Sequence, residues 1–281
     1  MTPTNFLRQI GLARALSKLG YCSRSQASNL IRAGRVRLNG ALRRDPATPV
    51  HLEKDRIAVD GAAVTAETKV YLMLNKRRGL VTTVADEQGR ETVYASLAEG
   101  LPWVAPVGRL DKASEGLLLF TNDSEWSARV LAPQTHLDKT YHVQVKGIVE
   151  SALPERMAGR GMTGGGDSLR AKAARILRRG QRNTWLEVVL DEGKNRQIRR
   201  MLAQFGIEVQ RLVRVAIGPL ELGKLPQGAF RRLTSEEKLG LDGAMASAGA
   251  GLRSPRSLVE TCPTGRVNRT ARRATKAKII S

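Results

Sequence analysis

The sequence predicts an α+β protein in two folded parts, the larger built on a mainly antiparallel mixed sheet, with a basic tail behind them. Three observations lead there. Segments that read as strands outnumber those that read as helices, without regular β-α-β alternation. A small, polar stretch over residues 60–69 separates a short front part from a long one. The formal net charge is +21 on 281 residues, and such an excess calls for a polyanionic partner, most commonly nucleic acid. The expected parts are residues 8–65, residues 69–240 and a disordered tail over 241–281.

The front part opens with Leu12, Leu16 and Leu19 at helical spacing, ended by Gly20. Ser23 to Gln26 has the form of a capping box, and Ala27, Leu30 and Ile31 give the second helix an apolar face. Val36 and Leu38 then alternate with Arg37 in a strand that ends at Asn39-Gly40, a tight-turn signal. Arg14, Arg24, Arg32, Arg35 and Arg37 are spread over this unit, and no acid precedes Asp45. A solvated face is one reading of those arginines. A phosphate-facing surface is the stronger one, because a one-sided charge excess is costly unless it is neutralised. Organellar leaders share such an acid-free composition, but the caps mark a folded module.

In the larger part, Val70 to Leu74 reads as a strand, Asn75 to Gly79 as a basic turn and Glu91 to Glu99 as a short helix. Val104 to Val107 leads into P-V-G-R-L-D-K-A-S-E-G-L-L-L-F-T-N-D, residues 106–123. Leu117 to Phe120 is a short apolar run between turn residues, hence a buried strand. Glu125 to Leu131 is a helix with Trp126 and Val130 on one face. Tyr141, Val143 and Val145 alternate in a half-buried strand. Residues 158–168 are glycine-rich and read as a loop, and Thr184 to Leu190 as a strand. A basic turn then opens a helix ending at Gly206, before a strand over Val209 to Ile217 and a Gly218-Pro219-Leu220 turn. In the tail, residues 241–252 are rich in Ala, Gly and Ser, and the basic remainder has no sustained apolar period.

Several chemistries lose ground. No apolar run reaches 18 residues, so no membrane partner is expected. Cys22 and Cys262 lie far apart, and His51, His136 and His142 have no metal-ligand spacing; neither a metal site nor a disulfide framework is expected, and a reducing bacterial cytoplasm fits. There is no P-loop and no G-x-G-x-x-G after a strand, which also counts against a uridine methyltransferase. What remains is Asp111 in G-R-L-D, Tyr141 in K-T-Y and the arginine-rich start of N-R-Q-I-R-R. On spacing alone, Asp111 could equally be a turn acid paired with Lys112, and Tyr141 a core residue.

Two resemblances change those odds. L-A-R-A-L-S-K-L-G-Y-C-S-R-S-Q-A-S-N-L-I-R-A-G-R-V-R-L-N-G resembles the S4 RNA-binding domain, whose two helices lie on structured RNA. G-R-L-D-K-A-S-E-G-L-L-L-F-T-N-D, D-K-T-Y and E-G-K-N-R-Q-I-R-R-M together resemble the RsuA-type pseudouridine synthase family, over about residues 8–235. The second resemblance implies isomerisation of a uridine in ribosomal RNA, free or in a pre-ribosomal particle, by a monomer without a cofactor. Large-subunit 23S RNA is weakly preferred over 16S RNA.

It also implies roles. Asp111 is the nucleophile, Arg199 its counter-charge and Tyr141 the platform that stacks on the base and helps remove the C5 proton. Arg109 fills the gap left by the flipped uridine. Lys139, Lys194, Arg196 and Arg200 contact RNA, and the cluster around Arg199 can also be read as a phosphate-binding face. Leu117 and Leu202 are expected in the core. The turn Lys76-Arg77-Arg78-Gly79 departs from the family's K-P-x-G. The rival function is a noncatalytic RNA-binding or ribosome-assembly factor on the same scaffold.

Overall fold

The computed structural model describes residues 9–84, 86–159, 162–164 and 167–250. The front part contains β1 (Ile10–Gly11), α1 (Leu12–Lys18), α2 (Arg24–Arg32), β2 (Val36–Leu38), β3 (Ala41–Arg43), β4 (Pro49–Val50), β5 (Ile57–Val59) and β6 (Ala62–Ala63). The expected capping box is present: Ser23 Oγ accepts from the Gln26 N–H, and Gln26 Oε1 from the Ser23 N–H. Asn39 and Gly40 both have positive φ, as the turn between β2 and β3 requires. Leu12, Leu16, Ala27, Ile31, Val36 and Val59 share a core of their own. The strand β6 extends this module into the stretch expected as linker, and Val64 still bonds back to Ile57 O.

The front part is tied to the rest by a few polar contacts. Asn122 accepts from the Val70 N–H and donates to Thr68 O, Glu67 N–H donates to Leu19 O, and Lys18 pairs with Glu125.

The larger part continues with β7 (Tyr71–Lys76), β8 (Ala105–Val107), β9 (Glu115–Thr121), α3 (Ser124–Leu131), β10 (Lys139–Lys146), α4 (Leu153–Ala158), β11 (Met162–Gly164), β12 (Asp167–Leu169), β13 (Ala173–Arg179) and β14 (Asn183–Leu190). It ends with α5 (Gln197–Ala203), β15 (Val209–Ile217), β16 (Leu220–Glu221), β17 (Phe230–Arg232) and α6 (Ser235–Ala250). Among the described residues, nine strands form one sheet in the order β13-β14-β10-β15-β9-β7-β17, with β16 beside β15 and β8 beside β9. The pairing is antiparallel throughout this order except between β15 and β9.

The apolar run of β9 follows from its position. Leu117 and Leu119 pack with Trp126 and Val130 on one side, and Leu118 and Phe120 with Leu72 and Leu74 on the other. A strand covered on both faces has no polar side to alternate with. Gly116 lets β9 meet β15: its φ is +101°, and a Cβ there would lie 2.3 Å from Arg214 O.

Four sequence expectations need correction. Asn75 and Lys76 belong to β7, not to the turn that follows it. Only a single 3₁₀ turn, Val93–Ser96, forms within residues 91–99. The segment 158–168 contains β11 and β12, which pair with each other. The tail does not begin at 241, because α6 runs to Ala250. Its start is a second capping box, Thr234 with Glu237, and Glu237 also takes both Nη groups of Arg231. Leu241 and Met245, four apart, are buried with Leu117 and Trp126, and Trp126 Nε1 donates to Asp242 at 2.9 Å. The surrounding Ala, Gly and Ser residues hid this face. The rest of the expected tail, 251–281, lies outside the described residues.

Leu241→Ala should cost about 2–5 kcal/mol, the usual range for emptying a packed leucine site. A chain cut after residue 240 should unfold at lower urea than one cut after 250. Equal midpoints would mean that the second half of α6 contributes nothing.

Candidate active site

A cleft of about 610 Å³ opens over β10, β15 and the loop before β9. Arg109, Asp111, Lys139, Tyr141, Lys194 and Arg196 all line it, although they come from three separated stretches of sequence. Asp111 keeps about a third of its side chain exposed, at 37%. Tyr141 is half-buried on β10, opposite Val188 on one side and Arg214 on the other.

The loop carrying Asp111 is held by hydrogen bonds from its neighbours. The Ser114 N–H closes a turn onto Asp111 O at 2.9 Å. Thr82 Oγ1 donates to Leu110 O at 2.7 Å and accepts from the Leu110 N–H at 3.3 Å. Gly79 N–H donates to Lys112 O. The central contact is Lys76, whose side chain is fully buried at the end of β7. Its Nζ donates to Ser114 O at 2.8 Å and to Asp111 O and Arg77 O at 3.2 Å each. Burial pushes this ammonium down to about 8, against the pull of the Glu115 and Asp111 carboxylates. Glu115, itself buried, is held by Arg211 at 2.7 Å and Gln227 at 2.8 Å.

Two arginines stand near Asp111. The ion pair to Asp111 comes from Arg196, Nη1 to Oδ2 at 4.0 Å. Arg196 caps α5 in the left-handed conformation, φ 48°, which turns it out of the helix. Arg199, one turn later, donates instead to Ala113 O and Val209 O, each at 3.1 Å. It braces the Asp111 loop from behind, and its Nε is buried without a partner. Burial and the nearby Arg196 and Arg78 pull its guanidinium down, while Asp111 opposes that shift. Arg199 thus feels the Asp111 carboxylate and also bonds the loop that carries it, while Arg196 makes the contact at 4.0 Å.

The other expected residues divide in two. Lys139 lines the cleft beside Tyr141, and burial followed by the charge of Arg214 pulls its ammonium down. Lys194 bonds Ser168 O at 2.6 Å and pairs with Glu192 at 3.0 Å, and Arg200 donates to Asn195 O. Arg14, Arg24, Arg32, Arg35 and Arg37 are all exposed on the front module, with none of them lining the cleft. Arg35 is held by Asp60, and Arg37 by Gly40 O at 3.0 Å. Leu117 and Leu202 are fully buried, as expected of core residues.

Sequence reading missed Lys76, Thr82 and Arg214. Lys76 falls in the stretch expected as a basic turn, yet it continues the burial of Leu72 and Leu74 on the same side of β7. Arg214 follows Leu212 by two residues, so strand alternation puts it on the buried face. In both cases the pattern was readable, and the charge argued against reading it.

Between pH 8 and 10.5 the folded protein sheds the Lys76 proton while the unfolded chain keeps it. The unfolded state then binds more protons, so this residue makes stability rise with pH across that window. Lys76→Met removes the effect. The stability of wild type relative to Lys76→Met, from urea unfolding near each end of the window, should therefore increase with pH. A flat difference would mean that the buried amine keeps an ordinary affinity for its proton.

Comparisons with known proteins agree with this architecture. The profile of the S4 domain matches residues 10–57, and that of the RNA pseudouridylate synthase family matches residues 70–204. A protein of Aquifex aeolicus (strain VF5), described as an uncharacterized RNA pseudouridine synthase, is 37% identical over 232 residues, 82% of this chain and 93% of that one. The ribosomal large subunit pseudouridine synthase B of Bacillus subtilis (strain 168) is 34% identical over 227 residues, 80% of this chain and 93% of its own. A crystal structure of a pseudouridylate synthase superposes with a TM-score of 0.59 at 31% identity, covering 83% of this chain and 99% of that one. With an S4 domain in front and a sheet-borne cleft behind, the chain belongs to the RNA pseudouridine synthase family.

Proposed function

We propose that this enzyme converts one uridine, or very few, in ribosomal RNA to pseudouridine, with large-subunit RNA as the preferred substrate. The observation that carries the reading is the meeting of Asp111, Tyr141 and Arg196 in one cleft, with Arg199 bracing the loop behind Asp111. The Bacillus subtilis relative named for the large ribosomal subunit supports the choice of substrate.

The reaction detaches uracil at N1, turns it and rejoins it to the sugar through C5. It neither adds nor removes atoms, so the chain's own side chains suffice and no cofactor is required. Asp111 is the carboxylate that takes C1′ as the base leaves. Its partial exposure leaves it open to the sugar, and the Arg196 guanidinium stands beside it at 4.0 Å. Tyr141 is the surface on which the freed base turns, flanked by the aliphatic Leu190 and Ile198. Arg109, exposed at the mouth, enters the RNA stack as the uridine leaves it. Lys194 and Arg196 hold the backbone on either side of the target. The exposed arginines of the S4 domain dock a structured RNA element and leave the choice of nucleotide to the cleft.

Pseudouridine mapping of ribosomal RNA from a strain lacking the gene should reveal one missing site or very few, restored by wild type and not by Asp111→Asn. Purified Asp111→Asn should bind the RNA as wild type does; if it still forms pseudouridine, the nucleophile is wrong. Replacing Arg14, Arg24 and Arg32 together with Gln should flatten the dependence of log affinity on log salt, by about 0.9 for each lost phosphate contact on a duplex. An unchanged slope would remove these residues from the RNA interface.

A further inference from the structure

The floor of the cleft holds a positive charge that the reaction described above does not use. Arg214 lines the cleft, yet only 6% of it is exposed. Its Nε donates to Leu117 O at 2.7 Å, while Nη2 is buried without a hydrogen-bond partner. Lys139 lines the same cleft, and its charge and that of Arg214 oppose each other. The acids nearest to Lys139 are engaged elsewhere: Asp138 pairs with Lys172 at 2.7 Å and Asp191 with Arg170 at 3.9 Å. A buried guanidinium with an unmet donor is costly to keep. That cost is recovered only when negative charge arrives nearby, and a site that recovers it during reaction binds the transition state better than the ground state.

The position indicates which negative charge is meant. Arg214 is the direct cross-strand partner of Tyr141 and, on its other side, of Gly116 in the strand that follows the Asp111 loop. It therefore lies beside the base platform on the same face of the sheet and deep in the cleft, whereas Arg109 and Arg196 stand exposed at the surface where a phosphate backbone would run. We infer that Arg214, with Lys139 beside it, receives the negative charge of the uracil as its bond to the sugar breaks. This rests on the uridine isomerisation proposed above.

In that step the N1–C1′ bond breaks and its electron pair stays on the base, spreading over N1, O2 and O4. A carboxylate oxygen of Asp111 forms the bond to C1′. After the base turns, C5 attacks C1′ and the Asp111 oxygen takes its electron pair back. The proton lost from C5 balances the one gained at N1. Arg214 stabilises the departing base through one of its exocyclic oxygens, and neither gives nor takes a proton.

The test varies the leaving group. Large-subunit ribosomal RNA is transcribed with uridine or with 5-fluorouridine, whose electron-withdrawing fluorine makes the base a better anion. Single-turnover cleavage and RNA affinity are measured for wild type, Arg214→Gln and Arg214→Lys. Arg214→Gln should slow the uridine substrate by about 100-fold or more, the scale for losing one preorganised donor to a developing anion. Its loss on the 5-fluorouridine substrate should be at least about tenfold smaller, with affinity unchanged on both. Arg214→Lys keeps the charge and should recover part of the rate. If Arg214→Gln does not fold, the same comparison is made with Arg214→Lys. Equal losses on the two transcripts, or a loss that appears in affinity, would overturn the role of Arg214. A wild-type enzyme inert both on the uridine transcript and on large-subunit RNA in pre-ribosomal particles would instead overturn the ribosomal reading itself.

Discussion

The buried ammonium of Lys76 is the contact on which the catalytic arrangement depends. It ends one strand of the sheet and gathers three main-chain carbonyls, two of them from the turn that carries Asp111. A buried charge is stable only where it is well surrounded, so the turn has little freedom to move away from it. Thr82 adds two hydrogen bonds to Leu110, and Arg199 a further one to Ala113, so each side of Asp111 is held by a different element. The carboxylate is thus aimed by its backbone and still open to a substrate, which suits a group that must both wait and react.

The cleft is assembled along a seam between two halves of the sheet. Strands β15 and β9 run parallel there, and the close approach that Gly116 permits brings Arg214 and the Asp111 loop together. One half supplies the carboxylate and its supports; the other supplies Tyr141, Lys139 and the helix start at Arg196. Positive charge surrounds the acid at three depths: exposed at Arg109, flanking at Arg196 and buried at Arg214.

Much of this was legible in the residues. The capping box at Ser23, the buried run at Leu117 to Phe120 and the alternating strand through Tyr141 depend on neighbours a few positions away, and local pattern suffices for them. Lys76 and Arg214 lie in readable strand patterns, but their charge argues against burial, because a buried charge makes sense only beside partners remote in sequence, such as Ser114 or Leu117. That Arg196 as well as Arg199 stands near Asp111 was not legible, for a similar reason. Helical spacing groups Arg196, Arg199 and Arg200, but a single left-handed residue at the helix start decides which of them reaches the cleft. The part of α6 from 241 onward reads as tail because its composition is weak, and it is held by docking on Trp126, far back in the chain.

That docking sets an order on the chain's birth. The S4 domain has its core residues, Leu12 to Val59, in the first part of the chain. The layer behind Asp111, with Val107, Leu117 and Leu119, is sealed by Leu241 and Met245, which leave the ribosome much later. Domains tend to fold as units as they emerge. A nascent copy therefore has its S4 domain folded before the layer behind Asp111 is sealed.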